Sequence, residues 1–412
     1  MAQNKINFNA PKIGWLLYDP ANSAYALLVR TLYAPIFFSL CAKDILSQAQ
    51  ITSSWAMTAS AAGLLAGVIS VLCGPVADAK CKRKLMLLIF SLLGVLSILT
   101  YTILPHNNIR AILLVSLIGI ASFMAANSFY DSLLPVISAP AERDKLSTLG
   151  YASGYVGGLL AFIPCFFLRN METFSMFNAV FFIAAVWWAV GTVPLLCTVR
   201  ETTAGAKYYS LKSTFKYIWH DKNILCYLAA YFLFIDGVGT ILLAATPLAS
   251  GLQISSELLL VTILALQLIG LPFTLLYGYL AEKFSARTMI WCAIAVYVLI
   301  AVLTTIMALL DDLMVRQILF GAVAFLVGTS QGGIQSLCRS LYSKIIPPAR
   351  SAELFSVYNI FGKFTTIVGP VFIYIATKFS GRAEFGITML IVPFLLGAWL
   401  LGRVKLPDES SR

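Results

Sequence analysis

Long stretches free of charge recur along the chain, at 85–109, 111–130, 146–168, 173–199, 258–281, 288–310, 317–338 and 385–402. Each reaches the length a helix needs to cross a bilayer. Four further apolar spans, about 14–40, 52–77, 222–250 and 351–377, carry at most two charges each. With no water in the hydrocarbon to satisfy exposed backbone groups, so much apolar chain is expected as helices. The pattern predicts an all-α integral membrane protein of twelve transmembrane helices. The short polar start, "MAQNKINFNAPK", has no apolar core or cleavage pattern, so the first span is expected to act as the targeting signal.

Composition agrees: 59% of residues are hydrophobic and 11% charged, where soluble domains carry about one quarter charged. A formal charge of +11 would otherwise suggest a nucleic-acid partner. Its placement argues against one. Lys and Arg crowd into both termini and alternate loops, while the opposite loops hold Lys43, Arg110, Arg169, Arg316, Lys378 and Arg382. This is the bias of cytoplasmic loops, and it puts both termini in the cytoplasm. The eight cysteines fall mostly inside spans without metal-ligand spacing, and the two histidines, His106 and His220, fall in predicted loops. No cofactor, metal or enzymatic nucleophile is expected.

The chain reads as two halves on one plan. "GPVADAKCKRK" (74–84) and "GYLAEKFSAR" (278–287) each place an acid four residues after a glycine, with basic residues closing the turn. "NSFYDSL" (127–133) falls on "QSLCRSL" (335–341) at an offset of 208, and the register carries Pro140 onto Pro348 and Gly154 onto Gly362. The domains are expected as 1–199 and 223–412, two pseudo-symmetric six-helix bundles joined by a cytoplasmic linker at 200–222. The linker's lysines and aromatic residues suit a helix lying on the membrane surface.

Charges within spans mark candidate chemistry, since an ionised group at the bilayer centre costs about 2.5–3.5 kcal/mol on insertion scales. Asp19, Arg30, Asp131, Asp236, Arg339 and Lys363 qualify, and their formal charges cancel. Such a set suits a zwitterion, or an empty site whose charges pair with one another. Asn127, Ser128, Asp131 and Ser132 share one helix face, as do Gln335, Ser336, Arg339 and Ser340. These faces line a path or merely glue helices together. Asp19, Asn22, Ser23, Ala26 and Arg30 form one face of the first helix, which also carries Tyr25. Asp19 before Pro20 also fits a helix cap, and Arg30 could snorkel to the interface. Asp236 beside Gly237 and Gly239 suggests a helix broken next to a carboxylate, or close packing at the glycines. Lys363 could hold a carboxylate or pair with Asp236. Asp78 with Arg83, and Glu282 with Arg287, are expected as gating charge clusters.

These residues resemble known ones. The two acid-and-base turns are similar to the loop signature of the major facilitator superfamily. Within it, "YDPANSAY", "FIDGVGT" and "QSLCRSLYSKIIP" resemble the vacuole effluxer family, which comprises fungal vacuolar amino-acid effluxers and bacterial relatives. Pro20 and Cys338 depart from the usual Phe and Ser. The resemblance implies a secondary transporter of small metabolites, amino acids foremost, in a bacterial inner membrane. Arg339, with Lys363, would hold a carboxylate; Asp236 or Asp131 would take an ammonium, and any of the acids could carry a coupling proton. A monomer in the lipid bilayer is expected. The alternatives are an exporter of drugs, siderophores or other amphiphiles, and a non-transporting sensor or scaffold.

Overall fold

The computed structural model describes residues 6–168, 171–201, 208–362, 375, 378–379 and 384–406. The spans are α1 (Ala10–Ala42), α2 (Gln48–Ala79), α3 (Arg83–Tyr101), α4 (Ile109–Ile137), α5 (Arg143–Phe167) and α6 (Thr173–Thr198). After the linker helix α7 (Leu211–His220) come α8 (Lys222–Gly251), α9 (Ser256–Phe284), α10 (Ala286–Leu309), α11 (Leu313–Ile345), α12 (Ser351–Phe361) and α13 (Phe385–Gly402). Eleven helices among the described residues are long and apolar enough to span a membrane. The remaining expected span, 351–377, opens with α12 and continues beyond the described residues.

Polar residues just outside the apolar runs set the helix starts. Asn9 caps α1 by accepting from the Lys12 amide, and Asn108 caps α4 through the Ala111 amide. Ser47 and Gln50 form a reciprocal capping box at α2. Asp19 is therefore no cap: α1 begins nine residues earlier, and Pro20 lies in its interior. Proline removes the donor that the carbonyl four residues back would use. The Ser153 hydroxyl supplies one instead, donating to the Leu16 carbonyl at 3.2 Å. Further along, Tyr25–Tyr33 winds as a π-helix, with the Thr31 hydroxyl donating to the Ala26 carbonyl at 2.7 Å.

The chain divides into two compact units. The first comprises Met1–Ala139, Ser153–Leu211 and Pro348–Asn359; the second comprises Pro140–Ala152, Lys212–Pro347 and Ile360–Arg412. The start of α12 thus belongs with the first unit, and the start of α5 with the second. The repeat is visible in the element bounds. Helices α4 and α11 end at Ile137 and Ile345; 3-10 turns follow at Pro140–Glu142 and Pro348–Arg350; α5 and α12 begin at Arg143 and Ser351, each pair 208 residues apart.

Each unit receives its exchanged helix start against a glycine. In the first, a Cβ on Gly74 would come within 2.9 Å of the Ala352 carbonyl oxygen and the Ser356 hydroxyl. In the second, a Cβ on Gly278 would lie 2.2 Å from the Thr148 hydroxyl. Only a bare backbone permits either approach.

Candidate functional site

Depth separates the candidate charges. Counted from helix midpoints at 1.5 Å per residue, Asp236 lies at the middle of α8, and Arg30 about 6 Å from that of α1. Asp19, Asp131 and Arg339 lie about 10–15 Å from theirs, near the edge of a hydrocarbon core about 30 Å thick.

In the first unit, α1 and α4 meet through aromatic and polar side chains. Trp15 stacks on Tyr130 at 4.5 Å, and the Tyr130 hydroxyl donates to Asp19 Oδ2 at 2.7 Å. One turn on, Asn22 Nδ2 donates to Asn127 Oδ1, leaving the buried Asn22 Oδ1 without a partner. Tyr25 is buried with its ring against Phe123 (4.9 Å) and Trp188 (5.0 Å). Arg30 lies over Phe123, 6.0 Å from the ring centre. Asn359 Nδ2 donates to Asp131 Oδ2 at 3.2 Å.

The second unit repeats the arrangement with other chemistry. Tyr227, equivalent to Asp19 at the 208 offset, donates to the Cys338 carbonyl at 2.7 Å. Arg339 Nε donates to the Ser147 hydroxyl and Nη2 to the Ser147 carbonyl, each at 2.9 Å, with the guanidinium 4.5 Å from the Tyr151 ring centre. Tyr151 is the counterpart of Asn359, so positions 131 and 339 meet equivalent partners on the exchanged helix starts. Beside Arg339, Asp144 accepts from the Ser340 hydroxyl and from Lys344, both at 2.6 Å. Gln335 is half-buried on the same helix.

Asp236 differs from Asp19 and Asp131, whose carboxylates accept side-chain hydrogen bonds. It is 3% exposed, and its Oδ1 has no hydrogen-bond partner. The helix break expected at Gly237 and Gly239 is absent, because α8 runs unbroken from Lys222 to Gly251. The Gly237 position instead admits Phe394, whose ring tip would lie 2.5 Å from a Cβ there. Lys363 lies outside the described residues.

The two acid-and-base turns diverge. Asp78, 2% exposed, accepts from Arg83 Nε at 2.7 Å and from the amides of Ala352 (3.0 Å) and Glu353 (2.8 Å) at the N-terminus of α12. Arg83 also donates to the Pro348 carbonyl at 3.1 Å. Glu201 accepts from the amides of Arg83 and Lys84, serving the start of α3 from a distant segment. Arg350 pairs with Glu353 at 2.5 Å and lies over Tyr209. In the second unit, Glu282 pairs with Lys145 at 3.3 Å in a half-exposed contact, and Arg287 donates to the Val404 carbonyl. Sequence reasoning missed Glu201, Asp144 and Arg350. Glu201 stood in the linker region, and the other two stood at helix starts read as plain loop.

The sequence profile of the family described as "Vacuole effluxer Atg22 like" matches residues 11–410. The chain is 33% identical to the MFS-type transporter YxiO of Bacillus subtilis, over 98% of this chain and 96% of that one. It is 26% identical to autophagy-related protein 22 of Coccidioides immitis, over 91% and 76% of the two chains. Among solved structures it is similar to the proton:xylose symporter XylE, with a TM-score of 0.76, 14% identity and 96% coverage of both chains. It is also similar to a bacterial homologue of the iron transporter ferroportin, with a TM-score of 0.71, 14% identity, and 98% and 99% coverage. With its helices, its internal repeat and these likenesses in place, the chain belongs to the vacuole effluxer Atg22-like family and is a transporter of the major facilitator fold.

Proposed function

We propose that the chain moves an amino acid or a comparable small zwitterion by alternating access, with a proton as coupling ion. Asp236 carries this reading. A carboxylate at mid-span with an oxygen lacking any donor is costly unless a cation reaches it, and a substrate ammonium or a proton supplies one. Asn22 supports it as a second buried acceptor with an open oxygen. Membership of the vacuole effluxer Atg22-like family supports a transport role. In this reading both termini are cytoplasmic, the membrane is a bacterial inner membrane, and the halves 1–199 and 223–412 expose the path alternately. Asp78 with Arg83, and Glu282 with Arg287, act as gates by holding or releasing the helix starts beside them.

Counterflow in proteoliposomes tests the reading. Wild-type protein, preloaded with a mixture of unlabelled amino acids, should accumulate the labelled ones, and Asp236→Asn should not. If no amino acid drives counterflow, the substrate class is wrong; if the variant matches wild type both in counterflow and in uptake driven by a proton gradient, Asp236 has no part.

A further inference from the structure

The basic group proposed on sequence grounds for a substrate carboxylate is Arg339, yet its guanidinium is already engaged by Ser147 and Tyr151. Arg30 is in the opposite condition. No hydrogen bond or ion pair reaches it among the described residues. Its one aromatic contact, Phe123 at 6.0 Å, stands at the outer limit of cation–π attraction. Asp19, the acid on α1, is bonded to Tyr130.

Three features point Arg30 toward a ligand. First, it sits deep, about 6 Å from the midpoint of α1, where an ionised group normally faces a cavity or a partner. Second, it belongs to a partly accessible stripe, Ser23, Ala26, Arg30 and Tyr33, bordered by buried Leu27, Leu28, Val29 and Leu32. Third, it is carried by the nine-residue π-helix Tyr25–Tyr33. Such windings are rare and concentrate at functional sites. Here the Ala34 amide reaches the Val29 carbonyl in the wider register, which turns the following residues away from their α-helical directions.

We propose that Arg30 is the residue that receives the substrate's carboxylate, with Tyr25 and Phe123 as apolar walls beside it. The planar fork of a guanidinium matches a carboxylate in two parallel hydrogen bonds. A substrate with a carboxylate end is therefore preferred over its amide. This inference rests on the transport reading but not on the ammonium assigned to Asp236.

The test uses the full chain in nanodiscs, with phenylglyoxal as a guanidinium reagent and peptide mass spectrometry as the readout at Arg30. The probes are a mixture of amino acids, the matching amino-acid amides, short monocarboxylates, and chloride. Arg30 should react, and the amino acids should slow its modification at least fivefold, while the amides and chloride leave it unchanged. In counterflow, Arg30→Lys should retain part of the activity that Arg30→Gln loses, both variants keeping the wild-type unfolding profile. Protection by monocarboxylates with amino acids inert would uphold Arg30 and overturn the zwitterion. An unreactive Arg30, equal protection by amides or chloride, or full activity in Arg30→Gln would overturn the inference.

Discussion

Replacing Asp78 by Ala should loosen the start of α12 far more than replacing Glu282 by Ala loosens the start of α5. Asp78 is buried and joins Arg83 to two amides of α12, while Arg83 is itself 4% exposed. Stripping one partner from such a buried pair costs about 3–5 kcal/mol, and the lower end applies here because Glu201 still faces Arg83 Nη1 at 3.7 Å. The lost helix cap falls within that figure, at about 0.5–2 kcal/mol. At about 1.4 kcal/mol per tenfold, local opening should increase on the order of a hundredfold. Glu282 pairs with Lys145 through side chains 33% and 40% exposed. A contact of that kind contributes about 0–1 kcal/mol, so its loss should raise opening about fivefold at most. Hydrogen–deuterium exchange over peptides at 348–356 and 143–152 reads both effects. Similar deprotection of the two helix starts would refute the argument that burial, rather than the shared motif, sets the strength of each tie.

Asp236→Asn should unfold at a temperature equal to or above wild type while transport falls, because it removes a buried charge with an unpartnered oxygen; a lower unfolding temperature would contradict this. Gly157→Ala should destabilise by about 1–3 kcal/mol, since its Cβ would lie 2.3 Å from Pro20 Cα. By contrast Gly321→Ala, with nothing within 4 Å, should stabilise by about 1 kcal/mol; thermal unfolding of the two variants checks the pair. Glu172, outside the spans, accepts from the amides of Phe174 and Ser175, and those hydrogen bonds hold its carboxyl below the usual Glu range. Its contribution is therefore present above the unfolded-state pKa and lost as pH falls through the lower folded value. Once corrected for the intrinsic base-catalysed exchange rate, protection at the start of α6 should fall on acidification, and Glu172→Gln should flatten that dependence.

The spans were legible because apolar length alone identifies them. Their ends were less so, since a charge-free run stops at the first charge while a helix does not. The run 317–338 became Leu313–Ile345, starting at the Asp312 cap and continuing through Arg339 and Lys344. The repeat was legible from matched polar positions, and the element bounds keep its register. Local signals misled where tertiary contacts decide. Asp19–Pro20 looks like a helix start, but α1 is already capped at Asn9 and Ser153 serves the carbonyl that Pro20 leaves open. Gly237 looked like a break and proves to be room for Phe394. The π-helix Tyr25–Tyr33 carries Arg30 but no glycine or proline that announces its winding. Nor could the paired turns reveal that Asp78 is enclosed and Glu282 half-exposed, which depends on what each meets.

The exchanged segments also constrain biosynthesis. The first unit requires Pro348–Asn359, and those residues leave the ribosome only after most of the second unit has been made. Helices α1–α6 can insert as they emerge, yet they must wait, with Gly74 and Asp78 uncovered, for a strand of sequence nearly three hundred residues downstream. Domains that fold one after another during translation avoid such a delay; this chain cannot complete its amino-terminal half early. Expressed alone, residues 1–205 should yield a protease-sensitive product, and co-expression with 206–412 should restore it.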